Sequence, residues 1–444
     1  MHGTYDNNTY QYSYKKDNKI SFFCKIFLMI LLITIFEGAF RKWVSNSLTM
    51  PLVFSRDALA IYGVIIGLKN GKTLFKNTSM QILLAWTALI IFWGSMQVLF
   101  NQSSPLTFIF GLRFWLLYLW FACVAATLMT ERDLIVIQKT FIVILILMMP
   151  LVLIQHFQPP GSFINKQVDD DSDRVFMLAA DVVRTTGTFS FTLGYAVFLS
   201  ISLPFVFSAL MPGFKIFKHK WIVWLGFLAA GIGTLVSGSR SSIIFFAILF
   251  SIYVYCLIFF TKGRRNKIYA VFFSLTLLSI LASLPLFFSR AIDATQDRFT
   301  SASQSENVVD RVTSMFFGEA KAYADLTILG DGIGAGTNVA AVAATGKRSF
   351  QLAETETSRT ILEGGLVGLL FLALKIAVII IGLTKSFMIA RKTGNYLPVM
   401  LWLTTTVALL SWSIIGQLTV NALGFLLLGL AVASLRFNPK KPIS

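Results

Sequence analysis

The sequence predicts an all-α polytopic membrane protein with about 12 transmembrane helices and a large extracytoplasmic loop. Hydrophobic residues make up 56% of its 444 residues and charged residues only 13%, whereas soluble domains are about a quarter charged. Apolar runs of about 20 residues, the length that crosses a bilayer as a helix, recur along the chain. They lie near 20–36, 51–68, 80–100, 106–129, 134–155, 189–211, 221–237, 241–261, 268–289, 358–383, 396–414 and 417–435.

The distribution of the +17 net charge favours a membrane over a nucleic-acid partner. Lysines and arginines gather in alternate loops, as at Lys69–Lys76, Lys215–Lys220 and Lys262–Lys267. This positive-inside pattern predicts an even number of spans and both termini in the cytoplasm. No small-residue cleavage site follows the first span, so we expect a retained helix rather than a signal peptide.

The spans predict the organisation of the chain. Residues 1–19 form a cytoplasmic tail, and 20–289 hold transmembrane helices 1–9 with an outer loop near 156–188. Residues 290–357 form a large outer loop, within which Val308–Leu329 has the helical alternation of one or two surface helices. Transmembrane helices 10–12 occupy 358–436, and a second cytoplasmic tail occupies 437–444.

Charged residues near the outer ends of the early spans are candidates for function, because ionisable groups at a bilayer are costly. Arg41 and Lys42 follow the first span and either anchor it at the interface or bind a substrate. Arg56 and Asp57 in the second span are close enough to pair with other helices. Arg113 lies about 10 Å into the fourth span; we expect it to face a polar cavity, the alternative being snorkelling to headgroups.

Two arginines stand where an anion site is expected. Arg184 precedes Gly187 at the entrance of a span, and Arg240 lies at the tip of the short outer hairpin Gly238–Arg240. An arginine fork donates several hydrogen bonds to phosphate oxygens, and Ser241 or Ser242 is expected to cap the following helix. The alternative for the hairpin is a simple turn with a snorkelled arginine.

The segment Glu354–Gly368, where the large loop enters the tenth span, concentrates charge. Glu356, Arg359 and Glu363 fall at i, i+3 and i+7 on one helical face. Gly364 and Gly368 permit a close helix contact. Lys375 lies deeper and is expected to snorkel.

The glycines of Gly330–Gly336 favour a turn that lets a ligand approach the backbone. A dinucleotide fingerprint is excluded, because Thr337 breaks its spacing and no strand–helix unit surrounds it. Gly332 and Gly334 are therefore candidate substrate-binding residues. No metal site or cofactor is expected, since no HExxH or CxxC spacing occurs.

Several arginines and a few carboxylates at one membrane face suit a lipid that carries a diphosphate and a sugar. The arginines would hold the diphosphate and offset the charge that develops on it as it leaves. A carboxylate would deprotonate an attacking sugar hydroxyl. The lipid diphosphate is itself the activated donor, so no nucleotide sugar is needed on that face.

Five short motifs follow one another between 184 and 368: Arg184-x-x-Gly187-x-Phe189, Ser237-Gly-Ser-Arg240, Arg311, Leu329-Gly-Asp-Gly332-Ile-Gly334 and Leu362-Glu363-Gly-Gly365-Leu-Val-Gly368. The segments Glu37–Trp43 and Arg56-Asp57 extend the pattern toward the N-terminus, so it covers nearly the whole chain. In this order and placement they resemble the O-antigen ligase and Wzy-type polysaccharide polymerase superfamily. The resemblance implies a GT-C-like fold and a metal-independent, inverting glycosyltransferase of the bacterial inner membrane. Its substrate would be undecaprenyl-diphosphate-linked oligosaccharide, joined into exopolysaccharide on the outer face, with a flippase and a chain-length regulator as protein partners.

One departure favours a polymerase over a ligase. Ligases of the superfamily carry a histidine nine residues before the Glu-x-Gly element, where this chain has Glu354 and where 290–357 contains no histidine. A carboxylate would then be the base, Glu354 first and Glu356 second; the alternative for Glu354 is a solvated or ion-paired loop residue. The predicted catalytic residues are Glu354, Glu356, Arg240 and Arg184, and the predicted substrate-binding residues are Arg41, Lys42, Arg113, Arg311, Arg359, Glu363, Gly332 and Gly334.

Two other functions remain open at this stage. An O-antigen ligase or protein O-oligosaccharyltransferase would move a lipid-linked glycan to a different acceptor. A transporter of lipid-linked glycans is less favoured, because transporters place charge at the bilayer midplane between paired repeats, whereas here most charge lies at one face and no repeat is visible.

Overall fold

The computed structural model describes residues 20–69, 77–166, 168, 183–211, 216–260, 264–289, 292–293, 296–297, 300, 307–337, 340 and 352–437. Within these residues the chain is helical and has no strand. Nine of the described helices are long and apolar enough to cross a membrane, which confirms the all-α membrane class. The expected count of 12 is not confirmed, because the predicted spans at 221–237, 396–414 and 417–435 correspond to shorter apolar helices.

The helices run in the following order. The first half comprises α1 (Phe22–Trp43), α2 (Thr49–Lys69), α3 (Thr78–Leu99), α4 (Pro105–Leu112), a π-helical turn (Arg113–Leu117), α5 (Tyr118–Leu128), α6 (Glu131–Phe157) and α7 (Thr192–Ala209). The second half comprises α8 (Trp221–Val236), α9 (Arg240–Phe260), α10 (Arg264–Phe287), α11 (Val308–Phe317), α12 (Ala320–Ala324), α13 (Glu356–Gly364), α14 (Leu366–Thr393), α15 (Leu397–Ser411) and α16 (Leu418–Ser434).

Helix α7 lies at the centre of the bundle. It is apolar on every side, as a helix surrounded by others must be, and 94% of its 18 residues are buried. It packs against α6, α8, α9, α15 and α16. Phe141 of α6 stacks on Phe198 and Phe205 of α7, with ring centroids 5.9 and 4.9 Å apart.

Two helix ends differ from the sequence-based expectation. Helix α1 continues to Trp43, so Arg41 and Lys42 belong to its last turn instead of following it. The predicted tenth span at 358 begins only at Leu366, because Gly365 (φ 56°) breaks the helix. Leu366 N–H then donates to the Ile328 carbonyl at 3.1 Å, so α13 is a separate helix held against the large loop.

The surface helices expected within Val308–Leu329 are present as α11 and α12. They are joined to α13 by two side-chain contacts. Thr357 Oγ1 donates to the Phe316 carbonyl at 3.1 Å, and Glu319 N–H donates to Ser358 Oγ at 2.8 Å. These contacts place part of the large loop beside the charged face of α13.

Candidate functional site

The Arg184–Ser190 segment is shaped by a buried glutamine that sequence reasoning did not single out. Gln155, at the end of α6, accepts hydrogen bonds from the backbone N–H of Thr186 (3.3 Å) and Gly187 (2.8 Å) through Oε1. Its Nε2 donates to the Gly187 and Ile164 carbonyls, each at 3.2 Å. Gly187 adopts a φ of +55°, which a glycine reaches without strain. The turn that follows Arg184 is therefore tied to α6.

Helix α1 lies directly against the same segment. Thr188 Oγ1 donates to the Ile35 carbonyl at 2.6 Å, Arg41 Nη1 donates to Ser190 Oγ at 3.1 Å, and Lys42 Nζ donates to the Gly187 carbonyl at 2.7 Å. The close approach is possible because α1 has a glycine, Gly38, at the contact. A Cβ on Gly38 would lie 2.5 Å from the Thr188 carbonyl oxygen.

We expect Gly38→Ala to push α1 away from the Arg184–Ser190 segment. Its Cβ would meet backbone atoms, which cannot rotate aside, and overpacking of this kind costs about 1–3 kcal/mol. The thermal unfolding midpoint of the purified protein in detergent is expected to fall. The matched control is Gly161→Ala, whose Cβ would meet nothing within 4 Å; equal midpoints for the two variants would contradict the close approach.

The Arg240 hairpin meets the Arg184 segment from the other side. Thr185 Oγ1 donates at 3.1 Å to the carbonyl of Val236, the last residue of α8. Ser239 Oγ accepts from the Ser242 N–H at 3.4 Å, so Ser239 caps α9, and the expected cap at Ser241 or Ser242 is wrong. Arg240 is the first residue of α9. These contacts place the elements that carry four cationic residues side by side at one end of the bundle. The four residues are here called the cation cluster: Arg41, Lys42, Arg184 and Arg240.

Lys42 is the most buried member of the cation cluster, at 2% exposure. Its ammonium donates to the Thr186 hydroxyl at 3.0 Å and to the Gly187 carbonyl, and it lies 4.7 Å from the Trp43 ring centroid. No carboxylate in the described part of the chain lies within 4.0 Å of it. A buried cation that meets only dipoles is costly, and a bound anion would offset that cost.

A chain of ion pairs occupies the neighbouring end of α2. Arg56 pairs with Glu37 of α1 at 2.9 Å, and Asp57 accepts two hydrogen bonds from Arg113, at 2.6 and 2.9 Å. Tyr118 O–H also donates to Asp57 at 2.9 Å. The expectation that Arg56 and Asp57 pair with other helices is confirmed. Arg113 uses Nε and Nη2 on Asp57, and its substrate-binding role stays a prediction.

On α13, Glu356 and Arg359 are buried and face each other as predicted, 3.6 Å apart. Glu356 also accepts from the Lys375 ammonium at 3.3 Å, so Lys375 turns into the bundle and the expectation that it snorkels is wrong. Arg359 donates through Nη2 to the Ala353 carbonyl at 2.7 Å. Glu356 is therefore part of a buried ion-pair network.

The loop between α15 and α16, at 412–417, joins this network to that of α1 and α2. Ser413 Oγ accepts from Arg359 Nη1, and Ile415 N–H donates to Glu356 at 3.2 Å. At the start of α16, Thr419 Oγ1 donates to Glu37 at 3.1 Å. The sequence indicated only packing for this loop, because its contacts are made by hydroxyls and a backbone amide, which carry no charge and do not stand out in the sequence.

The glycine-rich loop wraps around a side chain of the protein itself. Glu363, fully buried, accepts hydrogen bonds from the backbone N–H of Gly334 and Gly336 and from Trp115 Nε1, all at 2.9 Å. Gly332 N–H donates to the Glu363 carbonyl at 3.3 Å. Successive backbone amides of this kind make an anion-binding concavity, and here it holds a carboxylate.

Gln97 of α3 fastens the same loop and was also missed by sequence reasoning. Its Nε2 donates to the carbonyls of Leu329 (2.6 Å) and Glu363 (2.8 Å), and its Oε1 accepts from Ile333 N–H at 2.9 Å. The roles of Gly332, Gly334 and Glu363 in substrate binding stay predictions, since the contacts described for them are within the chain.

Glu354 and Arg311 line one cavity of about 960 Å³ between α11, α12 and the start of α13, here called the loop cavity. Glu354 is exposed, whereas Glu356 is 1% exposed. The backbone that carries Glu354 is held by Arg359, whose Nη2 donates to the carbonyls of Ala353 and Glu354. Of the two predicted bases, Glu354 is the one that a substrate in this cavity would meet.

No protein-family model matches the chain, and no match is found among curated proteins.

Proposed function

We propose that the protein is a membrane glycosyltransferase, a polysaccharide polymerase that joins polyprenyl-diphosphate-linked oligosaccharide units on the outer face of the bacterial inner membrane. The observation that carries this proposal is the cation cluster. Arg41 and Lys42 of α1 contact the segment that follows Arg184, and Thr185 of that segment contacts the end of α8 beside the Arg240 hairpin, so four cationic residues lie in neighbouring elements at one end of a bundle of apolar helices. A lipid diphosphate carries its charge at the same level of the membrane and fits this arrangement.

In the proposed mechanism the cation cluster binds the diphosphate. Arg184 and Arg240 donate to the diphosphate oxygens and stabilise the negative charge that grows as the sugar leaves. Lys42, which contacts a hydroxyl, a carbonyl and an aromatic ring, adds a cation that has no ion-pair partner among the residues that the structure describes. Such groups act more strongly in a dry site than in water.

The transfer itself requires a base. An acceptor hydroxyl attacks the anomeric carbon, the bond from that carbon to the diphosphate oxygen breaks, and its electron pair stays on the diphosphate. The hydroxyl proton passes to Glu354, which is exposed on the wall of the loop cavity. Glu356 is the weaker candidate, because it is buried between Lys375 and Arg359. Displacement from the opposite face of the sugar inverts the anomeric configuration.

The test is a transfer assay with the purified full chain. Its substrate is lipid-linked repeat units extracted from cells that lack this protein. A ladder of products with increasing numbers of repeats is the expected result. Transfer of one glycan to a different lipid or to a protein would replace the polymerase with a ligase. Intact donor after prolonged incubation, with a folded protein, would contradict both forms of transfer.

A further inference from the structure

The loop cavity differs in charge from the cation cluster. Among the described residues that line it, the carboxylates Asp310, Glu319 and Glu354 outnumber the single cation, Arg311. A diphosphate would be repelled from such a surface, whereas a neutral or positively charged ligand would not. The two sites therefore suit different parts of a substrate.

Aromatic side chains accompany these polar groups. Tyr323 and Phe317 both line the cavity and are 43% and 63% exposed. Tyr323 O–H donates to the Phe317 carbonyl, which ties the two residues together. Apolar ring faces beside carboxylates and hydroxyls are the surfaces that a sugar uses, with its C–H face on the ring and its hydroxyls on the polar groups.

The walls of the cavity are held together before any ligand arrives. Ser358 of α13 accepts from Glu319 N–H at 2.8 Å, and Thr357 donates to Phe316. Arg359 fixes the backbone of Ala353 and Glu354. A preformed site loses less conformational freedom on binding than one that must order itself.

We infer that the loop cavity binds the acceptor saccharide, and that its carboxylates select a neutral or amino-bearing sugar and reject a uronic acid. That the bound saccharide is the acceptor rests on the proposed function, because Glu354 on the same wall is the proposed base. Binding of the sugar itself does not require the lipid diphosphate, so it is measurable without transfer.

The experiment measures binding of three free disaccharides to the full chain in detergent by saturation-transfer NMR and by calorimetry. The probes are built from glucose, from glucosamine without acetyl groups, and from glucose with glucuronic acid. We expect the glucosamine probe to bind most tightly, because its amine is attracted to the carboxylates. The glucuronic acid probe is expected to bind at least about tenfold more weakly than the glucose probe, because its own carboxylate is repelled by them.

The double variant Asp310→Asn, Glu319→Gln keeps the shape of the wall and removes two of its charges. It is expected to reduce the discrimination against glucuronic acid several-fold while glucose binding changes little. Equal affinity for the three probes, tightest binding of glucuronic acid, an unchanged preference in the variant, or no binding of any probe at millimolar concentration would each overturn the inference.

The controls separate this inference from the proposed function. Arg240→Ala is expected to lose transfer and to keep disaccharide binding, because Arg240 belongs to the cation cluster. Sugar binding with the expected preference but no transfer by the wild-type protein would refute the polymerase and leave the saccharide site standing. Transfer without disaccharide binding would refute the saccharide site alone.

Discussion

Replacing Arg184 or Arg240 with alanine is expected to lower the rate of repeat-unit transfer by at least about 100-fold, the usual effect of removing one donor to a developing charge. Both residues belong to the cation cluster, one beside the turn held by Gln155 and the other at the first position of α9. Arginine-to-lysine variants keep the charge and lose the fork, so we expect an intermediate rate from them. The measurement is the initial rate of ladder formation.

The matched control is Arg391→Ala, an exposed arginine in the last turn of α14. It changes the net charge by the same amount and is expected to leave the transfer rate near the wild-type value. All variants are compared at equal folded concentration, judged from their thermal unfolding midpoints. Wild-type rates for both alanine variants would remove Arg184 and Arg240 from the proposed mechanism.

Glu363→Ala is expected to cause the largest loss of stability, about 3–5 kcal/mol in the free energy of unfolding. The substitution leaves the N–H groups of Gly334, Gly336 and Trp115 without their acceptor in a site that water does not reach. Glu363→Gln keeps one acceptor oxygen and places an NH₂ group against an N–H, so its loss should be smaller but still measurable. Tryptophan fluorescence during thermal unfolding records the midpoint of each variant.

The control for Glu363 is Glu354→Ala, which removes an exposed carboxylate nine residues earlier in the same segment. Its unfolding midpoint is expected to match that of the wild type even though its transfer rate should fall. If Glu363→Ala unfolds at the wild-type midpoint, the carboxylate is not what holds the glycine-rich loop. A lowered midpoint for Glu354→Ala equal to that of Glu363→Ala would equally contradict the assignment.

The connection between the two ion-pair networks gives the loop at 412–417 a structural role near the site. It contacts Arg359 and Glu356 on one side, and Thr419 at the start of α16 contacts Glu37 on the other. Arg359 in turn holds the backbone that carries Glu354. We interpret Arg359 as a positioning residue, because its described contacts are with the protein.

Hydropathy was sufficient to locate the apolar helices, but hydropathy and charge did not fix where each helix ends. Hydropathy gave the wrong helix length where polar residues are buried. Arg41 and Lys42 belong to α1, and their side chains donate to hydroxyl and carbonyl groups of the Arg184–Ser190 segment. Hydropathy also joined α13 to α14, since an average over 20 residues cannot detect the break that Gly365 makes.

The sequence by itself determined the all-α membrane class, the approximate positions of the apolar helices, and which charged residues stand near their ends. Those properties follow from hydrophobicity, which is summed along the chain. Only the tertiary structure decided which charged side chains are paired inside the protein. Glu356 pairs with Lys375, Arg113 pairs with Asp57, and Glu363 accepts hydrogen bonds from the glycine-rich loop. The physical reason is that a pairing depends on which helices pack together. Residues 307 positions apart along the chain can be in direct contact, as when the Asn421 side-chain amide donates to the Phe114 carbonyl.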